Sequence, residues 1–269
     1  MKIKILTVQL EAIIGDIEAN IQKAKKMLKE CGENTADIII FPELWATGWD
    51  CPNFHLYAEN IENSKVITFL KTIAITFNSI VIGGSSVLKK NNEGIRNTCI
   101  VLDRNGNIIT TYDKFHLFSL RGQSESHFLE AGDTPVIANT DIGRIGISTC
   151  YDVRFPEMFR LYAFNNADIM INMAAWPLDY IEEYKILCQA RAIENQTYFI
   201  CSSLTGKINE NFNFGGNSMV IDFHGKIINK LDREEKVLTS FIDLDTMKEY
   251  KEQMPILKDT KKQYQILEK

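Results

Sequence analysis

Three reactive side chains each follow a stretch of sequence that favours a β-strand. Glu43 comes after the apolar run at residues 38–41, Lys114 follows a β-rich run at residues 108–112, and Cys150 ends the run 145–150. Sites in α/β proteins tend to lie where strands end. If the three side chains meet, the thiol can attack a carbonyl carbon while the carboxylate acts as its general base.

Each of these residues alone also has an ordinary structural explanation. A glutamate after a strand is often a solvated loop residue, and a lysine usually lies at the surface. A lone cysteine is often a buried structural thiol. Cys150 has one further feature, because it lies between a predicted strand and a helix predicted to begin near Pro156. The amino terminus of a helix stabilises a thiolate.

Composition restricts the classes of protein that fit. The chain has 269 residues and a net charge of −5, which suits one α/β domain and offers no basic face for nucleic acid. No apolar run is long enough to span a membrane. The six cysteines form no Cys-x-x-Cys pair, and none lies near a histidine at zinc-ligand spacing. We therefore expect free thiols in a reducing cytoplasm. Attack of a thiol on a carbonyl carbon needs neither metal nor organic cofactor, so we expect none.

Local signals predict alternating strands and helices. Asp16 is a candidate N-cap for a helix at residues 17–31, and Ser64 for a helix ending near Phe77. Turn residues at 103–106 and 224–225 predict two β-hairpins. This alternation indicates mixed sheets covered by helices in one domain.

Three sequence segments occur in a characteristic order: Phe-Pro-Glu at 41–43, Asp-Lys-Phe-His-Leu-Phe at 113–118 and Cys-Tyr-Asp-Val-Arg-Phe-Pro-Glu at 150–157. They resemble the signature segments of the nitrilase-like carbon–nitrogen hydrolase family, and the resemblance covers essentially the whole chain, residues 1–269. It implies a single domain with a four-layer α-β-β-α sandwich. It also implies a catalytic triad of Glu43, Lys114 and Cys150.

The resemblance also implies a second glutamate in the loop at residues 121–133. Glu125 matches this position best and Glu130 competes with it, and a solvent-exposed loop acid is the ordinary alternative for both. Lys114 would face the oxygen of a tetrahedral intermediate. The backbone N–H of Tyr151 would be a second donor to that oxygen.

Two further residues are candidates for substrate binding. Arg154 lies four residues after Cys150, and its guanidinium could bind a substrate carboxylate in a bidentate manner. A structural ion pair with Asp152 or Glu157 explains it at least as well. Trp176 could form the wall of an apolar pocket, although tryptophan more often simply packs.

The segments Cys-Tyr-Asp-x-Arg-Phe at 150–155 and Ala-Arg-Ala-Ile-Glu-Asn-Gln at 190–196 are most similar to those of the ω-amidase group. That similarity implies hydrolysis of the terminal amide of short 2-oxo dicarboxylate monoamides, with a thioester intermediate and release of ammonia. Glu183 departs from the pattern, because an acid replaces a histidine that often precedes an aromatic residue there, which leaves substrate preference open.

Other functions remain open at this point. Relatives hydrolyse N-carbamoyl amino acids, β-ureido acids or nitriles. The same fold could serve as an inactive scaffold or binding protein, and a papain-like cysteine hydrolase would use His116 or His127. The resemblance further implies a homodimer or larger homo-oligomer. Its candidate contacts are residues 157–164, residues 178–189 and a C-terminal segment at about 245–269.

Overall fold

The computed structural model describes residues 1–90, 94–120, 123–209 and 212–261. In these ranges the strands are, in chain order, β1 (Lys2–Gln9), β2 (Ile38–Ile40), β3 (Glu59–Asn60), β4 (Ile80–Ile82), β5 (Ser86–Lys89), β6 (Ile95–Leu102), β7 (Ile108–Asp113), β8 (Ser119–Leu120), β9 (Gln123–Ser124), β10 (Val136–Thr140), β11 (Gly143–Thr149), β12 (Ile169–Ala174), β13 (Tyr198–Ser203), β14 (Thr205–Asn209), β15 (Phe212–Gly215), β16 (Met219–Ile221), β17 (Ile227–Lys230) and β18 (Lys236–Asp243). The α-helices are α1 (Ile17–Glu30), α2 (Phe54–Tyr57), α3 (Lys65–Phe77), α4 (Pro156–Phe164), α5 (Ile181–Asn195), α6 (Leu244–Gln253) and α7 (Ile256–Asp259).

The strands form two large mixed sheets. The first has the order β18-β1-β2-β4-β6-β5-β3, with β7 also paired to β6, and its neighbours β1, β2 and β4 are parallel. The second has the order β10-β11-β12-β13-β16-β17, with β11, β12 and β13 parallel. Parallel neighbours within each sheet bring the carboxyl ends of consecutive strands to one edge.

Alternating apolar residues make the two sheets pack face to face. On β1, Ile5 belongs to the same buried cluster as Ile147 of the second sheet, whereas Leu6 on the opposite face packs in a cluster with Leu70 of α3. The outer face of the second sheet is covered by α4, whose Phe159 is fully buried. The layers are therefore helices, sheet, sheet and helices, and the predicted four-layer sandwich is confirmed.

The predicted helix caps are present. The side chain of Asp16 accepts a hydrogen bond from Ala19 N at 3.0 Å, and that of Ser64 accepts one from Ile67 N at 3.0 Å. Helix α1 ends at Glu30, one residue before the predicted end, and α3 ends at the predicted Phe77. Both predicted hairpins are also found, as β6–β7 and β16–β17.

Some predicted elements are divided in the structure. The sequence predicts a strand at residues 79–87 that breaks at Gly83-Gly84, and the structure has two strands there, β4 and β5, with a φ of +67° at Gly84 between them. The sequence also predicts one long helix at residues 178–195, and in the structure this stretch begins with a 3₁₀ turn, Leu178–Tyr180, and continues as α5.

The C-terminal segment begins by packing on its own chain. Leu244 and Met247 of α6 are buried in the central cluster, and Gln196 Nε2 donates to Met254 O at 2.7 Å. Residues 262–269 lie outside the described residues, and contact of this segment with a neighbouring subunit stays a prediction. In the described part of the chain, none of the helices has both the length and the apolar character needed to cross a membrane.

Candidate active site

Glu43 lies in a buried turn that follows β2. The turn is held by a hydrogen bond from Leu44 N to Ser85 Oγ at 3.1 Å and by one from Trp45 Nε1 to Gly83 O at 2.9 Å. Gly84 makes this approach possible, because a Cβ atom there would lie 2.1 Å from the carbonyl oxygen of Pro42. Contact between two loops thus fixes the backbone that carries Glu43.

Both carboxylate oxygens of Glu43 accept hydrogen bonds from other strands or their ends. Oε1 accepts from Lys114 Nζ at 2.9 Å and from Asn97 Nδ2 at 3.0 Å, and Oε2 accepts from the backbone N of Ala175 at 2.9 Å. The side chain is completely buried. These donors fix the orientation of the carboxylate and stabilise its charge.

Lys114 places a buried ammonium between two carboxylates. Its Nζ lies 2.9 Å from Glu43 Oε1 and 2.8 Å from Glu125 Oε2. Burial works to lower the pKa of Lys114, but the charges of Glu125 and Glu43 raise that pKa well above its ordinary value. Lys114 is therefore a permanent positive charge within the cluster.

Glu125, and not Glu130, is the glutamate that reaches Lys114. It begins a 3₁₀ turn, Glu125–His127, and its Oε2 also accepts from Phe118 N at 2.6 Å. Burial raises the pKa of Glu125, while Lys114 offsets part of that rise. Among the described residues, its other oxygen, Oε1, has no hydrogen-bond partner. Glu130 is exposed, and residues 121 and 122 of this loop lie outside the described residues.

Cys150 lies at the carboxyl end of β11 and opens a 3₁₀ turn, Cys150–Arg154. Its backbone has a φ of +47°, and its side chain is within hydrogen-bonding reach of the Glu43 carboxylate. Burial, followed by the charge of Glu43, raises the pKa of the thiol well above its ordinary value, although Lys114 opposes this. The prediction that a helix terminus stabilises a thiolate is therefore wrong. Helix α4 starts only at Pro156, and burial dominates.

Asp152 connects the cysteine turn to the loop that carries Lys114. Its carboxylate accepts hydrogen bonds from Thr149 N at 2.8 Å, from His116 N at 2.9 Å and from the hydroxyl of Tyr112. The Nδ1 atom of His116 also lies 2.8 Å from Asp152 Oδ1. His116 is thus bound to Asp152, and Asp152 positions two parts of the site at once.

One residue of α5, Arg191, and one residue of β12, Asn172, hold the opposite side of the cysteine turn. Arg191 Nε donates to Val153 O at 3.0 Å, and Asn172 Nδ2 lies 3.5 Å from Cys150 O. Asn172 is held in turn by the hydroxyl of Tyr184 at 2.9 Å. Neither contact was predicted from the sequence, because both depend on residues from distant elements.

A cavity of about 830 Å³ opens above the thiol. Cys150, Glu125 and Tyr151 contribute to its lining, and aromatic side chains form much of the wall, among them Trp49, Phe118, Phe128, Trp176, Tyr180 and Phe214. Tyr151 follows Cys150 within the 3₁₀ turn rather than beginning an α-helix. The size and lining suit a small organic molecule. In the parts of the chain that are described, no group of three or more His, Cys, Asp or Glu side chains is placed to hold a metal ion.

Arg154 and Trp176 lie together on the wall of this cavity. The guanidinium carbon of Arg154 is 4.9 Å from the centre of a Trp176 ring, and Arg154 Nη2 donates to Glu183 Oε2 at 2.9 Å. The acidic partner is therefore Glu183, and the predicted pairing with Asp152 or Glu157 is wrong. Tyr184 stacks beneath Trp176 and is fully buried, so it supports the wall.

Comparison with known proteins identifies the family. Residues 4–252 match the model of the family described as carbon–nitrogen hydrolase. The chain belongs to the carbon–nitrogen hydrolase family. It is an enzyme that hydrolyses carbon–nitrogen bonds.

Several relatives match this hydrolase over nearly its full length. A Bacillus subtilis protein named 2-oxoglutaramate amidase is 33% identical, over 97% of this chain and 99% of that protein. The structure of Saccharomyces cerevisiae Nit3, a member of branch 10 of the nitrilase superfamily, has 27% identity and a TM-score of 0.87 and covers 95% of each chain. A CN-hydrolase superfamily protein of Xanthomonas campestris has 25% identity and a TM-score of 0.90, with coverage of 98% of this hydrolase and 99% of that chain.

Proposed function

We propose that this hydrolase removes the terminal amide of a short 2-oxo dicarboxylate monoamide, such as 2-oxoglutaramate, and releases ammonia. The observation that carries the proposal is the position of the Cys150 thiol at the base of a cavity, against the carboxylate of Glu43 and near the ammonium of Lys114. The relative named 2-oxoglutaramate amidase supports this choice of amide.

The first half of the reaction forms a thioester. Because the raised pKa keeps Cys150 protonated at rest, Glu43 takes the thiol proton as the sulfur attacks the amide carbon. The carbonyl oxygen becomes negative beside Lys114, with the N–H of Tyr151 as a second donor. Collapse of this intermediate breaks the C–N bond, and the proton on Glu43 leaves with the nitrogen as ammonia.

The second half of the reaction releases the acid. Glu43 removes a proton from a water molecule that attacks the thioester carbon. The C–S bond then breaks, and Glu43 returns this proton to the departing sulfur, which regenerates the thiol and the Glu43 carboxylate. Glu125 Oε1 has no partner among the described residues and belongs to a residue that lines the cavity, so it is available to accept an N–H of the substrate amide. Glu125 would thereby orient the amide for attack.

The distal end of the substrate would lie against Arg154 and Trp176. A guanidinium binds a carboxylate through parallel N–H donors, and the indole supplies a flat apolar surface. Both residues line the same cavity as Cys150. This arrangement gives the amide end and the carboxylate end of the substrate separate contacts.

Ammonia release from a panel of amides tests the proposal. The panel contains 2-oxoglutaramate, an N-carbamoyl amino acid, a β-ureido acid and a nitrile, each assayed with the wild type and with Cys150→Ala. We expect the wild type to prefer 2-oxoglutaramate, and the variant to melt like the wild type but to lose turnover. Equal activity in Cys150→Ala would end the covalent scheme, and preference for another class would reassign the substrate.

We also propose that the enzyme assembles as a homodimer or larger homo-oligomer through α4 and α5. These neighbouring helices expose Phe164 at 50% and Ile186 at 66% of their surfaces. Phe164→Lys and Ile186→Lys should lower the mass found by analytical ultracentrifugation. The control Ile75→Lys changes a residue that is 60% exposed on α3, in the opposite helical layer, and should leave that mass unchanged.

The six free thiols support a reducing compartment such as the cytoplasm.

A further inference from the structure

The basic side chain on the cavity wall already has a carboxylate partner. Among the cavity-lining residues that the structure describes, Arg154 is the only lysine or arginine. Its Nη2 atom donates to Oε2 of Glu183 at 2.9 Å, across the gap between the cysteine turn and α5. A substrate carboxylate that approaches Arg154 therefore meets a guanidinium whose charge is balanced.

The position of Arg154 does not depend on Glu183 alone. Its guanidinium lies over Trp176, with 4.9 Å between the guanidinium carbon and a ring centre. Trp176 is itself fixed, because its Nε1 donates to Tyr180 O at 2.9 Å and its ring stacks on Tyr184 with 4.7 Å between centroids. A guanidinium has five N–H donors, so one bond to Glu183 leaves others for a second carboxylate.

The remaining charges of the cavity do not favour anions. Asp50 lines the wall, and its carboxylate accepts hydrogen bonds from the neutral donors Tyr57 Oη at 2.8 Å and Asn53 Nδ2 at 2.9 Å. The catalytic cluster below holds the carboxylates of Glu43 and Glu125 against the ammonium of Lys114. With Glu183 on Arg154, no unbalanced positive side chain faces the cavity among these groups.

We propose that Glu183 is a specificity-determining residue that competes with the substrate carboxylate for Arg154. The competition weakens the binding of carboxylate-bearing amides, so it reduces the preference of this enzyme for them over neutral linear amides of similar length. This inference rests on the proposed function for the role of Arg154 at the distal end of the substrate. The Arg154 and Glu183 side chains are 34% and 54% exposed, so solvent screens the effect and its size is moderate.

The substitution Glu183→Gln tests this role. Glutamine keeps the shape of the side chain and an oxygen that accepts from Arg154, but it removes the charge. We expect the KM for 2-oxoglutaramate to fall roughly two- to fivefold, with an unchanged kcat. The KM for the neutral amide pentanamide should not change. The difference in the KM for 2-oxoglutaramate between the wild type and Glu183→Gln should become smaller as salt is added, because salt screens charges at the surface.

Glu182→Gln is the matched control. Glu182 lies next to Glu183 on α5, is 78% exposed and pairs with Lys185, so its substitution removes an equal charge without touching Arg154. An unchanged or higher KM for 2-oxoglutaramate in Glu183→Gln would overturn the inference. Equal changes in Glu182→Gln would also overturn it, because the effect would then come from general surface charge.

Inhibition separates this inference from the proposed function. If the wild type hydrolyses pentanamide but not 2-oxoglutaramate, the proposed substrate is wrong. The role of Glu183 is then tested by 2-oxoglutarate as a competitive inhibitor of pentanamide hydrolysis, since this carboxylate needs no turnover. A Ki that falls in Glu183→Gln supports competition at Arg154, and a Ki that stays constant refutes it.

Discussion

The substitution Lys114→Met tests the charge balance of the buried cluster. Methionine keeps much of the apolar stem of lysine and removes an ammonium that lies 2.9 Å from Glu43 Oε1 and 2.8 Å from Glu125 Oε2. The three side chains are at most 1% exposed, so water cannot replace the lost cation. Removing one partner of a buried ion pair costs about 3–5 kcal/mol, a large part of the about 5–15 kcal/mol that stabilises a typical domain.

The cost of Lys114→Met should depend on pH in a defined direction. Burial raises the pKa of Glu125 from 4.5, and the charge of Lys114 opposes that rise. Because Lys114→Met removes this charge, the pKa of Glu125 should be higher in the variant than in the wild type. A group whose pKa is higher in the folded state than in the unfolded state contributes its full stabilisation when the pH is below its pKa in the unfolded state. This contribution is lost as the pH rises through its pKa in the folded state. The deficit of the variant should therefore be smallest in acid and grow towards neutral pH. The pKa of Lys114 is itself raised from 10.5, so its contribution in the wild type is lost only in strong alkali.

Urea unfolding followed by tryptophan fluorescence, at about pH 5 and about pH 8, measures both effects as free energies of unfolding. The double variant Lys114→Met, Glu125→Gln removes one of the two uncompensated carboxylates. It should recover part of the stability near neutral pH but none of the ammonia release. If Lys114→Met matches the wild type in free energy of unfolding, or if its deficit is the same at both pH values, the electrostatic reasoning is wrong.

Two further substitutions test how the site is positioned. Gly84→Ala places a Cβ atom 2.1 Å from Pro42 O, so it should lower both the melting temperature and kcat. Gly32→Ala is the control, because Gly32 has a similar φ of +75° and nothing within 4 Å of the added Cβ. It should lower the free energy of unfolding by only about 1–2 kcal/mol, the cost of a left-handed backbone at a residue other than glycine. Asp152→Asn removes the charge that accepts from Thr149 N and should lower kcat by roughly tenfold at an unchanged KM, because one positioning contact is typically worth about 1–2 kcal/mol. A wild-type kcat in either Gly84→Ala or Asp152→Asn would contradict these roles.

The places of Glu43, Lys114 and Cys150 after strands were readable from local sequence, but each place alone also suited an ordinary structural residue. The resemblance of their three sequence segments to the signature segments of the family singled them out as a candidate triad. Parallel pairing then brings the carboxyl ends of β1, β2 and β4 to one edge of the first sheet, and the carboxyl ends of β11 and β12 to one edge of the second sheet. The neighbours that orient these side chains were not predictable. Asn97 and Ala175 reach Glu43 across 54 and 132 residues of sequence, and no local pattern contains such contacts.

Some elements were missed for a related reason. Strand β18 lies at the edge of the first sheet. Its burial alternates from Leu238 to Asp243, but Ser240 is buried and Phe241 is 63% exposed, so the apolar pattern of the sequence does not follow the burial. It pairs with all eight residues of β1, which lies at the opposite end of the chain. The short strands β14 and β15 form a separate ribbon outside the two large sheets. Weak amphipathic patterns and distant partners explain why propensity alone did not reveal these strands.

The raised pKa of the Cys150 thiol could not be predicted from the neighbouring residues in the sequence, and it bears on how the buried cluster would generate a nucleophile. A helix terminus would favour a thiolate, yet burial and the charge of Glu43 raise the pKa of Cys150. In the proposed mechanism, transfer of the thiol proton to Glu43 moves a negative charge from oxygen to sulfur without changing the net charge of the cluster. Attack then moves that charge to the substrate oxygen, again inside the same buried space. Because every step conserves charge around the fixed ammonium of Lys114, the nucleophile can be generated when the substrate is present without exposing a free thiolate to solvent.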